Sequence, residues 1–589
     1  MIVKMAKTTI IIAKPHIEEA LLKLRKFGLL HIKYINPPED NNIAKLNKEI
    51  QDIDRAVSII KDKKHSREMD SDSLPSVVKD IISLEEKKIR LIDQRNNLED
   101  KLSWFNTWGK VSPGQIKELE KWGVFFKFYV INKRQLKAVM KDNIVFVINE
   151  GKGNLRIALI SQKADRVLMA QEECLPDSDY AVLREKADRL DAEIRDINSR
   201  LDYLSRYRKV LDKYRKSLVK RIEFYKVRSG MAKEEDFWYL QGFVPKYDVA
   251  RLKQIVEKEG WGMFTQDPKS PEEVPTLIRN PRWVSIIEPV FKFMGTVPGY
   301  AEYDISIWFL IFLTLFFAIL IGDAGYGMLF LGGIFVARKK LKNLPSELFS
   351  LMYVFSTATI IWGLITGTWF GVEKIGQLPV FKFFVIQRMN SFVNASQQFV
   401  MHLCFVIGAV HLTVAHSIVA FKSRRSLFAL AQIGWIALIW GLFFVAGKFV
   451  TESLFPLSGK YLLIVGAVLV FLFSHPQRNI LKAVGRALMD VPLKMISSFG
   501  DVVSYLRLFA VGYATVVVAA SFNNMALTMG FNSIVRSFGA ALILFSGHAL
   551  NIILGFMAMI VHGVRLNMLE FSSHLGMEWS GIPYAPFRE

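Results

Sequence analysis

The chain has 589 residues, 51% of them hydrophobic and 22% charged, with a formal net charge of +21. Its mean hydropathy of +0.23 averages two unlike halves: a charge-rich stretch up to about residue 300, then a series of apolar runs of about 17 residues or more, the length a hydrocarbon core about 30 Å thick requires. These figures exclude a wholly soluble domain, and the two cysteines, Cys174 and Cys404 in different halves, imply neither a disulfide framework nor a zinc site. No nucleic acid is expected as a partner either, because the basic residues are interleaved with acids along helices or fall in loops between apolar runs.

At the start of the chain Thr8–Ala13 is too short for a signal peptide and is followed by charged helical sequence, so the first half is expected in the cytoplasm. Thr8–Ala13, Ile17–Phe27 and Leu29–Tyr34 read as strand, helix, strand, and the pattern returns at Phe237–Val244, Asp248–Lys258 and Gly262–Thr265. Residues 1–40 and 230–285 are therefore expected to share one mixed sheet in a proximal α/β lobe. Heptads fill the space between. Ile43, Leu46, Ile50, Ile53, Val57 and Ile60 alternate steps of three and four, as do Ile81, Leu84, Lys88, Leu91, Arg95, Leu98 and Leu102, and again Leu183, Ala187, Leu190, Ile194, Ile197, Leu201 and Leu204. That period predicts an antiparallel coiled-coil arm from 41–106 and 175–229. Alternation at Val124–Ile131, Asn143–Asn149 and Leu155–Ile160 predicts a distal α/β lobe over 107–174, completing a dumbbell. The sequence contains no GxxxxGK[ST] loop and no HExxH pair, so the chain is expected neither to hydrolyse ATP itself nor to hold a metal.

A linker over 286–304 leads to an all-α membrane domain, 305–589. About eight spans are expected, at Ile305–Gly322, Ala324–Ala337, Leu351–Phe370, Phe399–Ala420, Leu427–Ala446, Tyr461–Phe473, Val503–Met525 and Ala540–Leu569. With a cytoplasmic amino-terminal half, the inner loops hold Arg338, Lys339, Lys340 and Lys342, then Lys422, Arg424 and Arg425, then Arg478, Lys482, Arg486 and Lys494. The outer loops hold fewer cations: Lys374, Lys382 and Arg388, then Lys448 and Lys460, then Arg536. This is the positive-inside bias, and it returns the end of the last span to the cytoplasm.

The last two spans each carry an arginine, Arg507 and Arg565, among leucines. A guanidinium at bilayer depth costs between ~2.5 and ~17 kcal/mol, which an inert anchor does not offset. Ser504, Arg507, Ala514 and Ser521 make a small or polar stripe on the seventh span. On the eighth, His548, Asn551, Gly555, Ala558, His562 and Arg565 follow steps of three and four along one face, with Glu570 five residues on. Such a stripe suits the wall of an aqueous half-channel. The plainer reading pairs the polar groups with one another inside the bundle, Arg565 with Glu570 for instance, and treats Gly555 and Ala558 as helix-packing residues. His402, His411 and His416 are expected to pack or hydrogen-bond. Between the first two spans, Gly322, Asp323, Gly325 and Gly327 read as a tight reversal with Asp323 as a helix cap.

Gly322–Gly327 (GDAGYG), Ile361–Gly363, Ser504–Phe509 (SYLRLF), Gly547–Asn551 and His562–Phe571 (HGVRLNMLEF) together resemble subunit a, called subunit I in bacteria, of the V/A-type rotary ATPases and ATP synthases, over essentially the whole length. The resemblance implies a non-catalytic stator subunit of the cell membrane without a cofactor, its amino-terminal domain and carboxyl end in the cytoplasm. Its implied partners are a ring of c-type (K) subunits, peripheral-stalk subunits of E and G type, a central-stalk subunit of C/d type, and indirectly the A/B catalytic head. It implies that the membrane domain moves H⁺ or Na⁺ past Arg507, with Arg565, Glu570, His562, Asn551, His548 and Ser504 along the ion path. The tail departs from the family: Ser-Ser-His-Leu-Gly-Met, residues 572–577, replaces a lysine-phenylalanine-tyrosine continuation. The alternative is a polytopic secondary transporter with a cytoplasmic coiled-coil regulatory domain; it calls for internal repeats with interrupted helices, which the sequence does not display. A coiled-coil membrane scaffold leaves both arginines unexplained.

Overall fold

The computed structural model describes residues 1–61, 73–150, 154–342, 344–450, 454–474 and 480–588, without the side chains of residues 142, 394, 480–487 and 489. Of the expected inner-loop cations, Arg478 lies outside the described residues, as do the side chains of Lys482 and Arg486. The chain forms two units, one of residues 1–11, 24–33 and 241–588, the other of residues 12–23 and 34–240.

Strand β1 (Met5–Ala13) buries Ala6, Thr8, Ile10 and Ile12, the period of two that defines a half-covered strand, with Met5 also buried at its start. Helix α1 (Ile17–Phe27) and strand β2 (His31–Lys33) follow. In the second unit, α2 (Asn41–Ile59) starts on Asp40, whose carboxylate accepts from the Asn42 N–H at 2.8 Å, satisfying a donor that the helix leaves open. Helix α3 (Leu74–Trp108) has 35 residues, about 52 Å of helix. Next come α4 (Pro113–Lys121), β3 (Phe125–Asn132), α5 (Leu136–Asp142), β4 (Ile144–Glu150), β5 (Asn154–Ser161), β6 (Gln171–Glu173), α6 (Tyr180–Leu204) and α7 (Arg208–Ser229).

Helix α2 packs on α3 and α7, and α3 packs on α6. Most heptad positions meet in one core: Ile43, Leu46, Ile53, Ile81, Leu91, Ile197 and Leu201, joined by Leu211, Leu218 and Ile222 of α7. The two charged heptad positions keep their heads in ion pairs, Lys88 with Glu85 at 3.5 Å and Arg95 with Asp191 at 3.3 Å, while their stems lie along the helices. The sheet beyond has the order β4-β5-β3-β6. Phe128 and Ala158 face Trp104 and Trp108 on one side, and Tyr129, Ile131, Ile157 and Leu159 build a second core on the other.

Strands β7 (Ala232–Lys233) and β8 (Phe237–Pro245), helix α8 (Val249–Lys258) and strand β9 (Gly262–Gln266) complete a sheet of order β2-β8-β1-β9, with β7 on β8. The two strand–helix–strand repeats interlock: β2 pairs antiparallel with β8 and β1 antiparallel with β9. After β10 (Pro275–Thr276), α9 (Arg282–Ser285) and α10 (Glu288–Met294) come the apolar helices: α11 (Ser306–Ile321), α12 (Ala324–Lys340), α13 (Ser346–Thr366), the short α14 (Glu373–Gly376) and α15 (Pro379–Lys382), then α16 (Asn394–Lys422), α17 (Phe428–Val450), α18 (Leu457–Phe473), α19 (Ile480–Ser504), α20 (Leu506–Met529) and α21 (Ile534–Ala558). The chain ends in π-helical turns, α22 (Ser572–Leu575) and β11 (Ile582–Pro583).

Among the described residues five helices are long and apolar enough to cross a membrane, or six if α11 and α12, bent by 118°, count as one span. The eight expected stretches all fall on helices. The first two are the arms of that bend, and the sixth, α18, has only 17 residues. The last helical stretch, Ile534–Leu575, runs 42 residues. Helix α11 is apolar all round and mostly buried, with Ile311 the exposed position of its one open stripe; it packs against α13, α20 and α21.

Residues 578–588 return to the β-sheet lobe. The Glu302 carboxylate accepts from the N–H groups of Gly299, Glu578 and Trp579, and β11 pairs parallel with β10. Tyr584 donates to the Leu29 carbonyl at 2.6 Å and Phe587 N–H to the Leu30 carbonyl at 2.8 Å. His31 stacks on Tyr584, with Nδ1 at 3.0 Å from the Ala585 carbonyl. Burial holds His31 below its ordinary pKa, against the opposing effect of the Ala585 carbonyl. A histidine whose folded value is lowered contributes fully above the unfolded value of about 6.5, and the contribution is lost as pH falls through the folded value. Protease cutting within 578–588 is therefore expected to be faster at about pH 5 than at about pH 7.5, and His31→Phe to remove most of that difference.

Candidate functional site

Gly322 ends α11 in the left-handed conformation, φ +64°, a geometry that costs a side-chain-bearing residue strain. Asp323 then caps α12. Its Oδ1 accepts from the N–H groups of Gly325 (2.8 Å), Tyr326 (3.2 Å) and Phe370 (2.9 Å), and its Oδ2 from Gly371 (3.0 Å). The carboxylate thus pins the bend to the loop after α13. Gly325 and Gly327 place α12 directly against Phe370 and Ile360, and a Cβ on Gly363 would lie 2.1 Å from the Ala324 nitrogen. Asp323→Ala leaves four buried donors unpaired at about 1–3 kcal/mol each. Thermal unfolding of the purified protein in detergent should register a loss of roughly 4 kcal/mol or more, with Asp323→Asn losing less.

Arg507 sits in the first turn of α20, just past Tyr505, where α19 ends. Tyr505 is fully buried, its hydroxyl 2.8 Å from His411 Nδ1. Across from it the last helix changes pitch: residues 559–563 and 566–571 are π-helical. On an α-helix Arg565 and Glu570 would point about 140° apart; the i→i+5 spacing of a π-turn brings them together. Glu570 Oε1 lies 3.4 Å from Arg507 Nη2 and 3.7 Å from Arg565 Nε. Glu570 is 4% exposed, Arg507 21% and Arg565 54%. Glu570 Oε2 is enclosed without a hydrogen-bond partner, as is His562 Nδ1 one turn before Arg565. One buried carboxylate thus answers two guanidiniums, leaving a surplus positive charge and free donors at the surface. The expected Arg565–Glu570 pairing is there, and Arg507 shares it.

His548 and Asn551 belong to a second cluster. Asn551 Nδ2 donates to the Tyr326 hydroxyl at 3.0 Å and to the Thr515 carbonyl at 2.9 Å. His548 Nδ1 lies 2.7 Å from the same hydroxyl and its Nε2 3.2 Å from Asn523 Oδ1. Asn523 donates to the Phe370 carbonyl at 2.7 Å. This network ties the last helix to the GDAGYG bend. Tyr326 and Asn523 were not among the expected site residues, although Tyr326 is the one large polar side chain of that motif. Gly547, Asn551, Gly555 and Ala558 are buried, so part of the expected polar stripe is a packing face. Ser504 donates to the Gly500 carbonyl of its own helix and joins neither cluster. Among the described residues no group of three or more His, Cys, Asp or Glu side chains converges as a metal site.

No protein-family model matches the chain. It is 33% identical to the V-type ATP synthase subunit I of Borreliella burgdorferi and 29% identical to V-type ATP synthase subunit I 1 of Treponema pallidum, in both cases over 100% of each chain. Against the A-type ATP synthase subunit I of Methanocaldococcus jannaschii it is 26% identical, covering 69% of this chain and 64% of the other. A crystal structure of the cytoplasmic amino-terminal domain of subunit I, homolog of subunit a, of V-ATPase overlaps 44% of this chain and all of that one at 16% identity, with a TM-score of 0.25, a loose superposition. Full-length identity to proteins of one name, in a chain with several membrane-length apolar helices, makes this a member of the subunit I family of the V/A-type ATP synthases.

Proposed function

We propose that the chain is the stator membrane subunit of a rotary ATPase or ATP synthase, building two ion half-channels against a rotating ring of c-type (K) subunits. The observation that carries this reading is Arg507: a guanidinium gripped by the buried Glu570, still 21% exposed, on a helix whose Ala510, Ala514 and Ser521 are exposed. Small residues on that face leave room for a second helix to come close. A ring carboxylate surrounded by lipid must be neutral, by protonation or bound Na⁺. Beside Arg507 an opposite charge favours ionisation, so the ion leaves on one side and reloads on the other. Arginine suits the position because its pKa stays above about 12, and it passes no proton itself.

In this reading the arm of α2, α3, α6 and α7 and the two lobes hold peripheral-stalk subunits of E and G type and meet a central-stalk subunit of C/d type, linking the membrane domain to the A/B head. The chain lies in the cell membrane with its lobes in the cytoplasm and performs no ATP chemistry of its own. Cysteines at Ala510 or Ala514 are expected to crosslink to a cysteine near the ring carboxylate and to stop ATP-driven ion uptake in the same vesicles. An intact complex that yields no crosslink from any face of α20 would place Arg507 inside the bundle instead.

A further inference from the structure

One hydrogen-bonded chain of titratable groups lies outside both clusters. Asp501 Oδ2 is 3.1 Å from His574 Nε2, His574 Nδ1 is 2.8 Å from His416 Nε2, and His416 Nδ1 is 2.6 Å from Gln432 Oε1. Four elements supply it: α19, α22, α16 and α17. All four residues line a cleft of about 660 Å³ together with Tyr303, Asp490, Lys494 and Ser498. The cleft is at the same end of the helices as the 297–304 segment and residues 578–588, which contact the β-sheet lobe. His416 is buried and stacks on Trp435. His574 is four residues beyond Glu570, and Asp501 six before Arg507. The His574–Asp501 contact therefore lies about one to two turns from the Glu570–Arg507 contact along the helical stretches Asp490–Met529 and Ile534–Leu575, roughly 6–9 Å.

Donor counting shows what this chain holds. With Gln432 Oε1 facing it, His416 carries its proton on Nδ1 and accepts at Nε2, so His574 donates from Nδ1. The His574–Asp501 contact then closes only if that pair holds one more proton, as imidazolium with carboxylate or imidazole with carboxylic acid. Turning the Gln432 amide over reverses every donor. The amide donates to His416 Nδ1, His416 Nε2 donates to His574 Nδ1, His574 Nε2 donates to ionised Asp501, and the chain holds one proton fewer. The same four residues are thus complete in two states that differ by one proton. Around them, Lys494 favours the emptier state, as does Lys422, whose ammonium lies over Tyr303. Asp490 and Glu570 favour the loaded one.

We propose that Asp501, His574 and His416 form a one-proton relay and store between the cleft and the Arg507–Glu570 site, so that the ion exchanged on this side of Arg507 is H⁺ and not Na⁺. The inference rests on the ion-path reading above. A proton enters from cleft water at the Asp501–His574 pair, is shared along the imidazoles, and leaves toward the ring carboxylate; nothing else is consumed. The residues were hard to anticipate: His416 reads as a packing histidine, and His574 falls where the tail departs from the family.

The test uses the intact complex in vesicles with ATP-driven lumen acidification as readout. His574→Ala and His416→Ala are each expected to slow acidification by about a hundredfold, the low end of what a positioned proton carrier contributes. Added imidazole, small enough for the cleft, is expected to restore much of the rate. Full acidification in both variants overturns the relay. So does a loss that imidazole leaves untouched in an assembled complex, which marks a structural role, and so does uptake that requires Na⁺ without acidification. If His574→Ala does not assemble, Asp501→Asn decides, expected to slow acidification similarly, with an unchanged rate counting against the relay. Arg507→Ala in parallel vesicles separates the failures: normal transport there sinks the ion-path reading, whereas a silent Arg507→Ala beside a fully active His574→Ala sinks only the relay.

Discussion

Arg507→Ala is expected to lower ATP-driven ion uptake by a factor of roughly 10 to 1,000, because an adjacent opposite charge lowers a carboxyl pKa by about 1–3 units and that shift disappears with the guanidinium. A ring carboxylate passing residue 507 would then keep its ion, and rotation would carry it round without exchange. The variant chain should still assemble. Removing one partner of a buried pair costs about 3–5 kcal/mol when the other charge is stranded, but Glu570 keeps Arg565 at 3.7 Å, so the loss is smaller. Arg507→Lys should fail nearly as completely. Its ammonium is a single point charge that deprotonates when desolvated, opening a proton leak where the arginine forms a barrier. The measurements are ion uptake in vesicles and recovery of the complex on a native gel. Uptake near the unmodified level in either variant would sink the assignment of Arg507.

How far the molecule can be read from its residues depends on the range of the physics involved. Alternation is local, so Thr8–Ala13, Phe237–Val244 and Leu155–Ile160 mark strands within a few residues of β1, β8 and β5. Strand β6 has only Gln171–Glu173, polar and non-alternating; it exists because β3 offers an edge, as in the Tyr129–Glu172 pairing. The heptads name buried positions such as Ile53, Ile81, Leu91 and Ile197, since 3.5-residue spacing is set along one helix, but not Ala56, Val78, Phe105 or Trp108, which are buried by their neighbours across elements. The bend between α11 and α12 is legible in the GDAGYG glycines. Its 118° angle is not, because it depends on Asp323 reaching the backbone of Phe370 and Gly371, 47 and 48 residues away. Arg507 and Arg565 stand out as charges in apolar surroundings. Glu570 is legible as a partner of Arg565, but its sharing with Arg507 is not, because that contact joins side chains 63 residues apart and depends on how the two helical stretches pack.

That shared carboxylate makes Glu570→Gln the second variant with a large expected effect. Glutamine keeps the length and shape of the side chain and removes the charge between two guanidiniums, so Arg507 and Arg565 are left repelling one another across a neutral amide. A hydrogen bond to a charged group is worth about 1.5–3 kcal/mol, and the Arg507 hydrogen bond and the longer Arg565 ion pair weaken together. Arg507 then loses the contact that orients it, and near-attack geometry is sensitive enough that a misplacement of about 1 Å costs about a hundredfold. Ion uptake is accordingly expected to fall by about ten- to a hundredfold. The complex should remain, because Glu570 joins side chains of helices that are already packed through Leu508, Leu566 and Phe571. If Glu570 acts by balancing the two cations, then Arg565→Gln in the Glu570→Gln background should recover part of the uptake by removing the repulsion. Equal losses in single and double variants would instead make Glu570 a direct member of the ion path. Unchanged uptake in Glu570→Gln alone would show that packing of α20, and not the carboxylate, positions Arg507.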